Sequence, residues 1–386
     1  MSLYERDASD LSGIRACADA YGFCLVRNVF TEKEVSDIKT GMKVSHEAYG
    51  GHIPDLVTCP PLRGLLFDAR ILGIARELLG NELVYYPESA VNYEAVVGPI
   101  TLNPYSVFHC DALGRPNELY KRWHSATDEP FRGYRFGLYL QDYEHHSGGL
   151  KLGIGSHRGD PDDLHKKSTE ATGREMVDVG GRQFHIPKID VPMHNVPSRP
   201  GDVVVWNLRT FHAAGARLLR NDPTRAFHPD IEKSLQEKMP DAFLPIPGPR
   251  LTIFFDLAAP TEDVDLYIKS RTHKFNSGKL TQLMHSRHDK ENLVSELRRH
   301  GIRTRFDYLL TTFVVALMDK KARDPQAIIT RILTMADQHE EFSPYFPLFD
   351  RARYLAARKE SDEQAFQVVY EGVTQHVEAL ANARKK

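Results

Sequence analysis

The sequence predicts a mainly β protein of the sandwich or barrel kind, with helices ahead of the strands and a helical tail behind them. Three observations predict it. Between Leu83 and Leu257 the chain breaks into short runs rich in β-branched and aromatic residues. Clusters of Gly, Pro, Asp and Asn separate those runs, as at Gly148-Gly149, Arg199-Pro200-Gly201-Asp202 and Ile246-Pro247-Gly248-Pro249. On either side the apolar residues recur instead at steps of three and four. Short strands with frequent turn signals point to a sandwich or barrel, and the longer period points to helices.

Each element follows from its local pattern. Leu11, Ile14, Ala18 and Tyr21 predict a helix over residues 7–20, closed by Gly22. Phe23-Cys24-Leu25-Val26 reads as a short strand. Thr31-Glu32-Lys33-Glu34 is a capping box and predicts a helix through Val35, Ile38 and Met42. A further helix at 68–79 ends at Gly80. Strands are predicted at Leu83–Tyr86, Val91–Val97, Tyr134–Gln141, Leu150–Ile154, His185–Ile189, Asp202–Trp206 and Leu251–Leu257. Two stretches read as loop-like insertions, Asp160–Gly181 (with room for one short helix) and Arg217–Pro249. They are expected to shape or cover the mouth of the fold, because long loops within a compact domain are functional or disordered. Domain boundaries are expected at 1–260 for the β-rich unit and 261–386 for a helical extension. In that tail Asp324-Pro325 is an N-cap signal, and Ser361 with Gln364 forms another capping box. The bland reading of the tail, a packing appendage or homodimer face, is preferred to a catalytic one.

The bulk numbers exclude several classes. Of 386 residues, 41% are apolar and 26% charged, ordinary for a globular protein. The net charge of −2 provides no basic field for nucleic acid or anionic membranes. Cys17, Cys24, Cys59 and Cys110 show no CxxC spacing and are too few for a disulfide framework, so a reducing compartment is expected. The start of the chain has no apolar h-region, and the run within Phe306–Met318 is shorter than the ~20 residues a membrane span needs. A cytoplasmic protein acting on a small molecule, with neither nucleic acid nor membrane as partner, is expected.

One stretch carries chemistry. Phe108-His109-Cys110-Asp111 places an imidazole and a carboxylate two residues apart, on the same face of an extended segment. His212 would add a second imidazole. Two imidazoles and one carboxylate leave one face of an octahedral metal open, the arrangement of non-haem Fe(II) oxygenases. An isolated His-x-Asp is weak evidence, since a strand histidine is more often structural. It gains weight from the turn Arg199–Asp202, which feeds the apolar run Val203–Trp206 and then His212. Arg250 opens the last apolar strand, and a cation entering a core strand needs a charge partner such as a bidentate carboxylate.

Taken in order, His109-Cys110-Asp111, Trp123-His124, Gly148-Gly149-Leu150, Gly155-Ser156-His157, Pro200-Gly201-Asp202, His212 and Arg250 resemble the phytanoyl-CoA dioxygenase family of Fe(II)/2-oxoglutarate-dependent oxygenases. Tyr21–Val26 followed by Val29-Phe30-Thr31 also fits, so the likeness covers roughly residues 10–260. The resemblance implies a double-stranded β-helix (jelly-roll, cupin-like) core with N-terminal helices packed on it. It implies Fe(II), 2-oxoglutarate and O2 as the reacting set, with His109, Asp111 and His212 as ligands. Arg250 would bind the distal carboxylate of 2-oxoglutarate. The long insertion between His212 and Arg250 departs from the family, which leaves Arg217, Arg220 and Arg225 as alternatives. Arg250 is preferred because it alone directly precedes an apolar strand.

Other residues are weighed beside these. His124 competes as a ligand but lacks an acid two residues on, so with Trp123 it is kept as a contact near the substrate. Asn92, Tyr139 and Trp206 are candidate cosubstrate contacts, though a core role is preferred for each. Cys110 should face away from the metal, and the turn His145-His146 should be solvated. The implied reaction is hydroxylation of an unactivated C–H with release of succinate and CO2. Desaturation, cyclisation and stereoinversion share the same ligand set. A non-redox cupin-like binding module is the alternative from another class. Asp111 argues against halogenation, which needs a small neutral residue at that position.

Overall fold

The computed structural model describes residues 2–48, 59–85, 89–95, 108–111, 131–159, 170–261, 296–304 and 350–382, most of them continuously, with scattered residues between. The predicted elements form with bounds shifted by up to four residues, the most at the start of the first helix, expected from residue 7 and beginning at Leu11. Helix α1 (Leu11–Tyr21) is capped by Asp10, which accepts from the Gly13 amide, and stops at Gly22 with φ +84°. Strand β2 (Phe23–Arg27) follows, paired in parallel with the short β1 (Glu5–Asp7). The capping box opens α2 (Glu32–Ala48): Thr31 N–H donates to Glu34 Oε2 at 2.7 Å, and Glu34 N–H donates to Thr31 Oγ1 at 3.3 Å. Helix α3 (Ala69–Leu79) leads to β3 (Leu83–Tyr85) and β4 (Ala90–Ala95).

The remaining strands build two facing sheets. They are β5 (Gly133–Tyr139), β6 (Gly149–Gly153), β9 (Met193–Val196), β10 (Val203–Asn207), β11 (His212–Ala216) and β12 (Arg250–Ala258). Between β6 and β9 lies a hairpin of β7 (Gly173–Val179) and β8 (Arg182–Lys188). The large sheet runs β1-β2-β10-β5-β12-β3-β13, with β4 also on β12; β13 (Ile302–Thr304) comes from the tail. The small sheet runs β11-β6-β9 and is extended by a bridge in which His109 and His212 exchange backbone hydrogen bonds of 3.0 and 2.7 Å. From β4 onward the chain alternates between sheets: β4, the His109 segment, β5, β6 and β9, β10, β11, β12. That alternation is the double-stranded β-helix expected from the resemblance.

Strand alternation sorts the residues. On β10, Val203 and Val205 join the core against the helices, while Val204 and Trp206 face the barrel interior. On β5 and β12, Phe136, Leu138, Ile253, Phe255 and Leu257 face the helices. Arg135, Gly137, Tyr139, Thr252, Phe254 and Asp256 therefore share the inner face, in the register Tyr139–Thr252, Gly137–Phe254, Arg135–Asp256. Gly137 is needed there, since a Cβ would lie 2.7 Å from the Trp206 ring. The turn before β10 is fixed by Asp202, which accepts from the Arg199 amide at 2.8 Å, the Asn28 amide at 3.1 Å and Arg27 Nη1 at 2.7 Å.

Two expectations are corrected. The stretch 160–181 is not only loop: it contains β7. The stretch 217–249 contains α4 (Pro229–Lys238), opened by His228 as N-cap with Pro229 behind it. These insertions form a small core of their own, with Val177, Val179 and Ile186 against Leu219, Phe227, Ile231 and Leu235. They cover the outer side of the small sheet and come near the His109 segment at His228, whose ring lies 5.9 Å from Phe108. In the tail, α5 (Arg351–Glu360) precedes α6 (Asp362–Asn382), and Ser361 Oγ caps the Gln364 amide at 3.1 Å. Ile302, Tyr354 and Val369 belong to the same core as the helix side of the large sheet. Asp324-Pro325 lies outside the described residues, and among those described no helix is long and apolar enough to cross a membrane.

Candidate metal centre

His109 and Asp111 lie on the short extended segment that bridges His212, the first residue of β11. One ring nitrogen from each histidine and one Asp111 oxygen all lie within 4.8 Å of one another. The two imidazole centroids are 4.6 Å apart. Asp111 and His212 are buried, at 3% and 7% exposure. Cys110, between the ligand candidates, turns into the helix-side core as expected.

The donor set fits a divalent transition ion. His212 Nδ1 lies 3.0 Å from the Thr210 carbonyl. A carbonyl only accepts, so Nδ1 carries the proton and Nε2 keeps its lone pair. Such a backbone partner is the usual orienter of a metal-binding histidine. Burial first, then the neighbouring His109, pushes the His212 pKa down to about 3, so the ring is neutral, the form that binds metal.

A charged pair that the sequence reading did not single out stands behind Asp111. Arg135 on β5 lies 3.2 Å from Asp111 Oδ2 through Nη1, and its Nε and Nη2 grip Asp256 at 2.7 and 2.8 Å. Burial alone would lower the Arg135 pKa; Asp111 and Asp256 outweigh it and hold the group well above its ordinary value. The signal was present in Tyr134-Arg135-Phe136 and Phe255-Asp256-Leu257. It is the same anomaly, charge within an apolar strand, that singled out Arg250.

Arg250 opens β12 on the inner face, and its guanidinium lies 5.5 Å from the centroids of both Tyr139 and Phe254. Its Nη2 reaches Tyr139 Oη at 3.5 Å, and its buried Nε makes no hydrogen bond among the described residues. Burial raises the Tyr139 hydroxyl to about 12, against the opposing pull of Arg250, so it stays a neutral hydroxyl. The alternative arginines are engaged elsewhere: Arg220 Nε donates to the Asp241 carbonyl at 3.0 Å, and Arg225 pairs with Glu175 at 2.8 Å. Arg217 is buried beside Glu232 under α4. Asn92 Nδ2 donates to Thr252 Oγ1 at 2.9 Å, on the wall beside Tyr139. Trp206 lies 5.8 Å from the His212 ring and 5.9 Å from Phe254, linking the metal end of the barrel to the Arg250 end.

Trp123 and His124 lie outside the described residues. His157 is structural: its Nε2 lies 3.1 Å from the Asp19 carbonyl of α1. Among the described residues one other grouping has metal-ligand types, Asp142, Glu144 and His145. It lies toward solvent, and Glu144 is paired with Arg27 and Arg199.

The model of the phytanoyl-CoA dioxygenase (PhyH) family matches residues 18–218. No curated protein matches the chain. Among solved structures the chain is similar to the non-haem α-ketoglutarate-dependent epimerase SnoN from nogalamycin biosynthesis, at 19% identity over 66% of this chain and 84% of that one, TM-score 0.38. It is similar to EctD from S. alaskensis with 2-oxoglutarate and 5-hydroxyectoine, at 16% identity over 64% and 74%, TM-score 0.36. AviO1 from Streptomyces viridochromogenes Tue57 matches at 15% identity over 65% and 96%, TM-score 0.36.

Proposed function

The chain belongs to the phytanoyl-CoA dioxygenase family, whose cofactors are iron and 2-oxoglutarate, and from that premise we propose that it hydroxylates an unactivated C–H of a small metabolite or biosynthetic intermediate. The observation that carries the reading is the approach of ligand atoms from His109, Asp111 and His212 to within 4.8 Å of one another. When bound, Fe(II) with 2-oxoglutarate and O2 supplies an oxidant that removes hydrogen from substrate, with succinate and CO2 released.

The chain's own residues set up that chemistry. His109, Asp111 and His212 would hold the ion, and the Thr210 carbonyl keeps His212 in the tautomer that leaves Nε2 free to bind it. Arg250 binds the distal carboxylate of 2-oxoglutarate, with the Tyr139 hydroxyl beside it as a second donor. Trp206, Phe254 and Tyr139 keep water off that wall, which strengthens the Arg250 pairing. The Asp111 side chain occupies the position that a halogenase would keep small and neutral. In the same reading residues 1–260 carry the chemistry and 261–386 brace it, supported by β13 on β3 and by Tyr354 and Val369 in the shared core. Four buried cysteine thiols suit a cytoplasmic location.

The test is anaerobic titration of apo-protein with Fe(II) and 2-oxoglutarate, following the visible charge-transfer band of the chelate. The band is expected in the wild type, absent in His109→Ala, Asp111→Ala and His212→Ala, and shifted to higher 2-oxoglutarate concentration in Arg250→Ala. No band in the wild type would move the binding-module reading to the front. A band kept in His109→Ala and lost in His124→Ala would reassign that ligand.

A further inference from the structure

We propose that Arg135, pinned by Asp256, is the positioning residue that holds the Asp111 carboxylate beside the two imidazoles before any ion arrives. The inference rests on the reading of His109, Asp111 and His212 as metal ligands. Two observations carry it. Asp111 sits on a segment joined to the small sheet by the His109–His212 bridge, two backbone hydrogen bonds long. Arg135 and Asp256 sit opposite one another on the large sheet. The Asp111–Arg135 contact therefore crosses the barrel interior and ties the ligand segment to the central strands.

The guanidinium divides its work. The Nε–Nη2 edge is committed to Asp256 in a short fork of 2.7 and 2.8 Å, the strongest geometry available to an arginine. That leaves Nη1 for Asp111, at 3.2 Å from Oδ2 and 3.3 Å from Oδ1. The Asp256 contact is the anchor. The Asp111 contact is longer and reaches both oxygens, so it orients the carboxylate. Asp256 is fully buried and Asp111 nearly so, at 0% and 3% exposure. Without Arg135 two carboxylates would share a dry interior. With it a guanidinium lies between them, in contact with both.

Affinity for Co(II), used in place of Fe(II) and read by its visible absorption, tests the proposal without turnover. Removing Arg135 alone would also change the charge, so the informative variant is Arg135→Gln/Asp256→Asn, which removes one positive and one negative charge together. Its Co(II) affinity is expected to fall about 10- to 100-fold, the usual effect of losing a ligand's orienting partner, with Arg135→Lys between it and the wild type. Asp111→Gly should lose Co(II), and added formate should restore binding by occupying the vacated position against Arg135. Formate should do nothing for Asp111→Gly/Arg135→Gln. A purely structural arginine would not create that formate dependence. A double variant binding within about twofold of wild type, or an Asp111→Gly variant indifferent to formate, overturns the proposal. Should Arg135→Gln variants fail to fold, formate rescue of Asp111→Gly beside that of Asp111→Gly/Arg135→Lys decides: weaker rescue with lysine is expected, and equal rescue overturns the proposal. If His212→Ala binds Co(II) like wild type, the ligand reading itself fails, separately from Arg135.

Discussion

Two buried charge clusters lie on opposite sides of the small sheet's ligand strand, and they are mirror images in charge. Inside the barrel one cation, Arg135, stands between two carboxylates, Asp111 and Asp256. Outside, under α4, one carboxylate, Glu232, stands between two cations: Lys151 donates to it and to the Phe227 carbonyl, and Arg217 lies beside it. Lys151 pairs in register with Ala213, the neighbour of His212, so the two clusters bracket the same stretch of β11. The difference is in what each can do about its own charge. Burial pushes Lys151 down and Glu232 up, so the outer pair can relax by sharing or losing a proton. The inner cluster pivots on arginine, which keeps its proton, so its central cation stays in place between the two carboxylates. The outer cluster fastens the insertion to the barrel; the inner one ties the His109–Asp111 segment to the central strands.

Breaking the outer pair should have the largest effect. Glu232→Ala leaves Lys151 buried without its carboxylate and should cost about 3–5 kcal/mol in urea unfolding, with Co(II) affinity unchanged. A cost below about 1 kcal/mol, or a weakened metal site, would mean the two clusters are not separate in function. The inner cluster should respond to the ion instead. Co(II) at a hundred times its Kd should stabilise the wild type by about 2.7 kcal/mol and leave His212→Ala unmoved, read as a shift in unfolding midpoint.

Acid supplies the background for both measurements. Burial holds His157 and His194 at about 4, below the ordinary histidine value of 6.5. The unfolded chain therefore takes up protons first as pH falls from 6.5 towards 4, and stability drops by about 1.4 kcal/mol per pH unit for each histidine. His194→Gln should flatten that slope; an unchanged slope would place the acid sensitivity elsewhere. The smallest effect is expected from replacing the outer pair whole. Lys151→Met with Glu232→Leu should lie within about 1 kcal/mol of wild type or above it, because neither charge is then left unpaired.

Residue spacing alone determined much of this protein. The capping box Thr31–Glu34, the stop at Gly22 and the two-faced run Val203–Trp206 acted locally, through hydrogen bonds and side-chain alternation that need no distant partner. His109, Asp111 and Arg250 were legible for the same reason: an acid two residues from a histidine, and a cation at the mouth of an apolar strand, are anomalies within a few residues. The strand at Gly173–Val179 and the helix at Pro229–Lys238 were missed, because their apolar residues make sense only against each other. Lys151, Arg135 and Asp256 looked like single charges in apolar strands. Only the fold brings Arg135 to Asp111, 24 positions earlier, and to Asp256, 121 positions later. Pattern fixes which face a side chain takes, but the partner that makes a buried charge tolerable is chosen by strand register across the barrel, and register is a tertiary property.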